Sequence, residues 1–206
     1  MTTFRHFYVK SHGVSDPDKI NLKDLPGSTG RLDVVARCIN AAFWLSGDIR
    51  RNVVFHTVLH GGEQPVYIRI EGKRLRKVSP DERSISLFLK KALERMDSME
   101  ETSPGIFAYS KSFEEIAEEN ADKEFYLLDE CGTPINEVEF EGTPFFFLGD
   151  NMDLTDGEKN FLMEKGARKV SLGNTSYLSS HCIALLNWWL DNVGAHPIND
   201  VWTNNR

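Results

Sequence analysis

Two apolar runs that stop at glycine are where this chain is best equipped to hold a ligand. Phe145-Phe146-Phe147-Leu148 ends at Gly149, and Val170-Ser171-Leu172 ends at Gly173, which leads into Asn174, Thr175, Ser176 and Tyr177. An unbroken apolar run reads as a strand buried on both faces. A glycine at its carboxyl end lets the backbone turn sharply and lets a ligand approach it closely. Ligands of open α/β sheets sit beyond the carboxyl ends of strands, so these two ends, with a helix between them, outline one pocket built mainly of main chain. Charged residues form a second candidate set. Asp33 and Arg37 stand one helical turn apart and can pair, and Arg50 and Arg51 precede a strand. Their plainer readings are a surface ion pair and a pair of phosphate contacts, which position nucleic acid without reading it.

Several chemistries lack their signatures. There is no G-x-G-x-x-G after a strand, no G-x-x-x-x-G-K-[ST], no H-E-x-x-H and no G-x-S-x-G. Cys38, Cys131 and Cys182 are odd in number and have no C-x-x-C spacing, so neither a disulfide framework nor a metal site is expected. Cys182 reads as a small pocket-lining residue rather than a nucleophile, and His181 as a histidine of the core. No apolar run reaches the roughly 18 residues a bilayer span needs, and the apolar segment at residues 4–9 is too short for a signal peptide. A cytoplasmic protein is expected.

Composition is that of a globular chain, 40% hydrophobic and 27% charged over 206 residues. The net charge of −7 hides a division: residues 1–96 hold 17 Lys+Arg against 10 Asp+Glu, and residues 97–206 hold 7 against 21. A basic half joined to an acidic half suits a protein that meets a polyanion such as RNA with one face. An unevenly charged solvated surface is the plainer alternative.

Strand-like and helix-like segments mostly alternate, which predicts an α/β fold with a largely parallel sheet. A first strand covers residues 4–9. After a loop rich in Pro and Gly, a helix is predicted from about residue 31 to residue 45, with Leu32, Val35, Ile39 and Phe43 as its core stripe. Strands follow at 53–59 and 66–70, and alternation at 74–78 suggests a hairpin with a basic, wet face. Ser79-Pro80-Asp81-Glu82 reads as a helix start, and Ser112 to Glu115 and Thr155 to Glu158 as capping boxes. Residues 97–105 read as a linker-like loop, and 125–128 as a buried strand followed by a turn at Cys131-Gly132. The last helix, 177–192, is apolar over most of its circumference, with Ser180, Asn187 and Asp191 as a narrow polar strip. Such a helix must be covered on more than one side, and a second subunit is the favoured cover. Residues 193–206 form a tail without periodicity.

The run Phe145 to Asp150, together with Val170-Ser171-Leu172-Gly173 and Ser176-Tyr177-Leu178-Ser179-Ser180-His181-Cys182, resembles the carboxyl-terminal signature of the SPOUT methyltransferases. More narrowly, with Asp24-Leu25-Pro26-Gly27-Ser28-Thr29-Gly30-Arg31-Leu32-Asp33, Arg37-Cys38 and Asp48-Ile49-Arg50, the chain is similar to the TrmY-type tRNA pseudouridine-54 N1-methyltransferase family up to about Asn192. The resemblance implies a single SPOUT domain over 1–192, with a deep trefoil knot at about 125–192, and a homodimer through the final helix. It also implies S-adenosyl-L-methionine held by the loop after Leu128, the loop at Gly149, and Ser171, Leu172, Gly173, Ser176, Tyr177 and Cys182. Loss of the N1 proton of a pseudouridine, which makes that nitrogen nucleophilic, would spread negative charge onto the neighbouring carbonyls. A fixed cation stabilises such charge, with Arg31, Arg37 and Arg50 as candidates, and Asp33 either orients one of them or takes the proton. The resemblance does not fix the acceptor: another RNA target, ribose or base, and a catalytically silent dimeric RNA-binding protein are the alternatives.

Overall fold

A computed structural model describes residues 4–76, 79–96 and 100–192. The hairpin segment expected at 74–78 lies in part, and the tail at 193–206 entirely, outside them. Eight strands form one sheet: β1 (Arg5–Ser11), β2 (Val53–Leu59), β3 (Val66–Glu71), β4 (Glu101–Ser103), β5 (Ile106–Tyr109), β6 (Glu124–Pro134), β7 (Pro144–Leu148) and β8 (Arg168–Ser171). Their spatial order is β4-β5-β3-β2-β1-β7-β6-β8. From β2 through β1, β7 and β6 to β8 every neighbour is parallel; β3, β5 and β4 extend the sheet antiparallel. This is the α/β architecture expected, largely parallel where the glycine-ended strands lie.

Alternation of side chains along the central strands makes two cores. Phe146 stacks on Phe7 and joins the core under α2 (Leu32–Phe43) and α6 (Ser179–Asn192). Phe145 and Phe147 point the other way, into a core with Tyr8, Phe113 of α4 (Phe113–Glu119) and Leu162 of α5 (Asp156–Glu164). Helices on both faces are why β7 has no polar position: all five of its residues are buried.

The capping boxes at Ser112 and Thr155 form as expected. The cap at Ser79 does not: Asp81 accepts the Ser84 amide at 2.8 Å and α3 runs Glu82–Leu93. The helix expected from about residue 31 is α2, and a short helix, α1 (Leu25–Ser28), precedes it, set apart by the left-handed residues Gly30 and Arg31. Residues 74–76 are not a strand. The Arg74 and Leu75 amides turn back onto the Glu71 carbonyl, and the neighbour of β3 is instead β5, in the stretch adjoining the one read as linker.

The polar strip of α6 faces inward. Ser180 and Asn187 are buried; Asn187 donates to the carbonyls of Ala41 and Ala42 at the end of α2, and Arg5 donates to Asn187 and Asp191. The outward side exposes Leu185 and Trp188, with Leu178 just before the helix, and also His181, which is therefore not a histidine of the core.

Candidate active site

The pocket lies where β6, β7 and β8 end and α6 begins. It encloses about 400 Å³, within the range of small-molecule sites. Leu128 comes from β6, Gly149 follows β7, and Leu172, Gly173, Ser176 and Tyr177 follow β8; Cys182 closes the wall from the first turn of α6. Ser171 stands behind this lining. Its hydroxyl donates to the Glu130 carbonyl at 3.0 Å and accepts the Gly173 amide at 3.0 Å, fixing two loops against each other. Gly173 has φ +116, and a β-carbon there would meet nothing within 4 Å, so its main chain stands open to the cavity. At Gly149 a β-carbon would lie 2.5 Å from the Met152 carbonyl, and the Ser179 hydroxyl donates to the Gly149 carbonyl at 2.6 Å. The turn therefore requires glycine, and α6 is anchored to it.

The mouth is acidic. Asp129, Glu130, Asp150 and Asp153 all reach the pocket. Lys169 and the Cys131 amide hold Asp129 below the usual carboxylate range, and the Ser176 hydroxyl does the same for Glu130. Ionised groups here favour a ligand bearing positive charge. The Cys182 thiol is pushed up to about 11 by burial, so it lines the wall as a neutral thiol. Among the described residues no cluster of three or more His, Cys, Asp or Glu is suited to a metal, and no helix is long and apolar enough to cross a membrane.

The charged residues of the α1–α2 break form a second centre. Asp33 is buried, and three N–H groups converge on its carboxylate: Arg31 Nε at 3.0 Å, Arg31 Nη2 at 3.1 Å and Arg37 Nη2 at 2.8 Å. Burial by itself raises the Asp33 pKa, but the hydrogen bonds and charge of the two arginines outweigh it and hold the carboxyl below its ordinary value. Arg31 takes a left-handed conformation, φ 67 and ψ 38, rare for a residue with a side chain. That kink aims it at Asp33. The break is tied to the pocket through His12, at the end of β1. Gly30 packs on the His12 carbonyl, and Asp150, its carboxylate wholly buried, accepts the His12 amide at 2.7 Å.

A family model for SAM-dependent RNA methyltransferases matches residues 4–195. The chain belongs to this SAM-dependent RNA methyltransferase family. It is 40% identical over 196 residues to a tRNA (pseudouridine(54)-N(1))-methyltransferase of Methanococcus maripaludis, covering 92% of this chain and 99% of the relative. It is 41% identical over 199 residues to the protein of that name from Thermococcus kodakarensis, covering 92% and 100%. In fold it is similar to the crystal structure of Archaeoglobus fulgidus Nep1 bound to S-adenosylhomocysteine, with a TM-score of 0.67 at 17% identity, covering 94% of this chain and all of that one.

Within the methyltransferase, the sequence-derived candidates divide into three places. The residues expected to hold the donor come together around one pocket. Arg31, Asp33 and Arg37 form one cluster, joined to the pocket through His12 and Asp150. Arg50 is elsewhere. Its guanidinium bonds Asp191 at 2.7 Å, in the last turn of α6, beside Arg5 at the amino end of β1. The length of α6, about 20 Å at 1.5 Å per residue, separates it from the pocket of its own chain. Asp129, Glu130, Asp150 and His12 were not singled out from the sequence. The one local signal was an acid directly after each of two strand-like apolar runs, Asp129 after Leu128 and Asp150 after Gly149.

Proposed function

We propose that this protein transfers a methyl group from S-adenosylmethionine to N1 of a pseudouridine in tRNA. The observation that carries the reading is the coincidence of a backbone-lined cavity at the ends of β6, β7 and β8 with near-full-length similarity to relatives of that named activity. When bound, the donor supplies an activated methyl on a sulfonium. This chain's residues hold it through the main chain at Gly149 and the 171–177 loop, and the carboxylates at the mouth complement its positive charge. Pseudouridine differs from uridine in having an N1–H. Once that weakly acidic nitrogen gives up its proton, charge spreads to the adjoining carbonyls, and the guanidinium groups of Arg31 and Arg37, oriented by Asp33, are placed to offset it. With its oxygens occupied by three guanidinium N–H groups, Asp33 serves as the orienting residue rather than the proton acceptor. Arg50 anchors the end of α6 or meets a phosphate.

A trefoil knot is part of the reading. β6 meets Val170 of β8 twice, at Leu128 and again at Thr133, across a register shift, so the 129–133 segment leaves the ladder where the knot is expected to begin. A homodimer through α6 is the other part. Its support is a helix that turns polar Ser180 and Asn187 inward and leaves Leu185 and Trp188 exposed, next to exposed Leu178 before its first turn; large exposed apolar side chains grouped in this way mark an interaction site. The single domain is taken to span 1–192, and the cytoplasm is the compartment in which such an enzyme meets tRNA.

The test incubates the protein with methyl-labelled donor and two tRNA transcripts that differ only in carrying pseudouridine or uridine, then identifies nucleosides by mass spectrometry. Label in N1-methylpseudouridine alone is the expected result. Label in a ribose, in uridine, or in neither RNA overturns the proposal.

A further inference from the structure

We infer that His12 accepts the N1 proton, an assignment that rests on the methyl-transfer reading above. His12 follows β1 directly, between the pocket and the arginine cluster. Its imidazole Nδ1 lies 3.1 and 3.2 Å from the two oxygens of Asp150, and its backbone amide donates to the same carboxylate at 2.7 Å. The Met152 amide also donates to Asp150, at 2.9 Å. A wholly buried carboxylate in this position is an acceptor only, so Nδ1 carries the hydrogen and Nε2 keeps its lone pair. The ring is held at main chain and side chain together and is still one-third exposed. A base must be both fixed and reachable.

Competing bases near the pocket are engaged. Asp33 is occupied by Arg31 and Arg37, Asp129 is paired with Lys169 at 2.7 Å, and Asp153 is bonded by Lys159. Glu158 is paired with Lys10 at 2.7 Å, Glu130 takes the Ser176 hydroxyl, and Cys182 holds its proton. The other imidazole nearby, His60, has its ring centre 6.3 Å from that of His12, but its Nε2 is buried and reaches no solvent. His181, in the first turn of α6, is exposed and is not held by a carboxylate among the described residues; His12 is the imidazole of this region that is both reachable and held by one.

The step balances without a further reactant. The N1–H bond breaks and its proton passes to Nε2 of His12, giving an imidazolium that the Asp150 carboxylate stabilises. The N1 electron pair forms the new N–CH3 bond, and the broken S–CH3 pair stays on sulfur. The imidazolium then releases its proton to water. Arg31 and Arg37 offset the charge at the carbonyls while His12 takes the proton, a division of roles that fits their places on either side of Gly30.

Two measurements test this. The first needs no turnover: ¹⁵N NMR of the protein without RNA reads the His12 tautomer, and hydrogen on Nδ1 is expected. Hydrogen on Nε2 overturns the assignment. The second compares wild type with His12→Ala and His12→Gln. Both keep the backbone amide that Asp150 accepts, so circular dichroism and calorimetric affinity for S-adenosylhomocysteine should match wild type. The expected kcat at neutral pH falls about 100-fold or more, and the rate of either variant climbs with hydroxide where the wild type levels off. Asp150, His60, Arg31 and the Lys10–Glu158 pair are the charged or titratable groups around the ring; all remain in both variants, so a lost plateau belongs to His12. Added imidazole should restore part of the rate of His12→Ala. Variants that methylate pseudouridine RNA at the wild-type rate and with the wild-type pH profile overturn the role of His12 and leave the methyl-transfer reading standing. A wild type that methylates no pseudouridine overturns both.

Discussion

Asp33→Asn tests the arginine clamp with the smallest change of shape. The carboxylate is 1% exposed and accepts at 3.0, 3.1 and 2.8 Å from two guanidinium groups. The amide removes the charge and turns one acceptor into a donor facing N–H groups. Breaking a fully buried pair costs about 3–5 kcal/mol. Here the side chains of Arg31 and Arg37 are 43% and 37% exposed and can turn to water, so the loss should be that of charge-assisted hydrogen bonds, roughly 1.5–3 kcal/mol. Its pH dependence has a definite sign. The native carboxyl is held below its ordinary value, so its contribution is present above the unfolded pKa of about 3.9 and lost as pH falls through the native one. Urea unfolding should show a gap between wild type and Asp33→Asn that is flat from about pH 5 to 8 and closes below about pH 4. The donor pocket does not use Asp33, so affinity for S-adenosylhomocysteine should hold, while kcat on pseudouridine tRNA falls about 10–100-fold as the arginines lose their aim. A variant as stable as wild type at pH 7, or a gap that widens in acid, would refute the clamp. Full kcat with the clamp demonstrably broken would refute its catalytic use.

Gly132→Ala should lower the melting temperature and cut S-adenosylhomocysteine affinity more than tenfold by calorimetry, because the added carbon would lie 2.6 Å from the Val170 nitrogen and force the surrounding segment off β8. Trp188→Glu should leave the fold of one chain intact, since Trp188 is about half exposed, yet give a monomer in sedimentation. In a two-fold interface the substitution enters twice and buries two unpaired carboxylates; a variant that stays dimeric, or a wild type that is monomeric, contradicts the assigned interface. Cys182→Ser should change kcat less than about threefold, with no methylated or RNA-linked cysteine in mass spectra, since a thiol held near 11 is no nucleophile at neutral pH.

What the sequence made legible follows from the range of each signal. Gly149 could be read because burial on both faces strips polar residues from β7, and the break at a glycine is local; Gly173 follows a strand whose last two residues alone are buried, and the short run to Leu172 sufficed. The boxes at Ser112 and Thr155 were visible for the same reason, since each closes within three residues. The β5 partner of β3 was missed because four apolar residues, Ile106 to Tyr109, followed a polar stretch that read as linker. The clamp of Asp150 on His12 joins positions 138 apart, and no periodicity reports such a contact. The second meeting of β6 with Val170, at Thr133 after Leu128, is likewise a property of the folded chain. For α6 the pattern was legible, but its direction was not. Ser180 and Asn187 would ordinarily mark the wet face; here both are buried, and Asn187 serves the last carbonyls of α2 and the guanidinium of Arg5 from inside.

That inversion also decides how to regard Arg50. Arg5 and Arg50 both bond Asp191, while Asn187 links Arg5 to the end of α2. The far end of α6 is thus fixed by a polar lattice, and its near end is fixed by the Ser179 hydroxyl on the Gly149 carbonyl. A helix pinned at both ends sets the position of Cys182 and of the loop that precedes it without any help from its apolar outer face. That face is therefore free of structural duty within the chain. Arg50, 14% exposed and engaged by a carboxylate, has little freedom to swing toward its own donor pocket a helix length away. Under the proposed methyl transfer, charge stabilisation at that pocket therefore falls to Arg31 and Arg37, and Arg50 would take part only at the pocket of a second subunit.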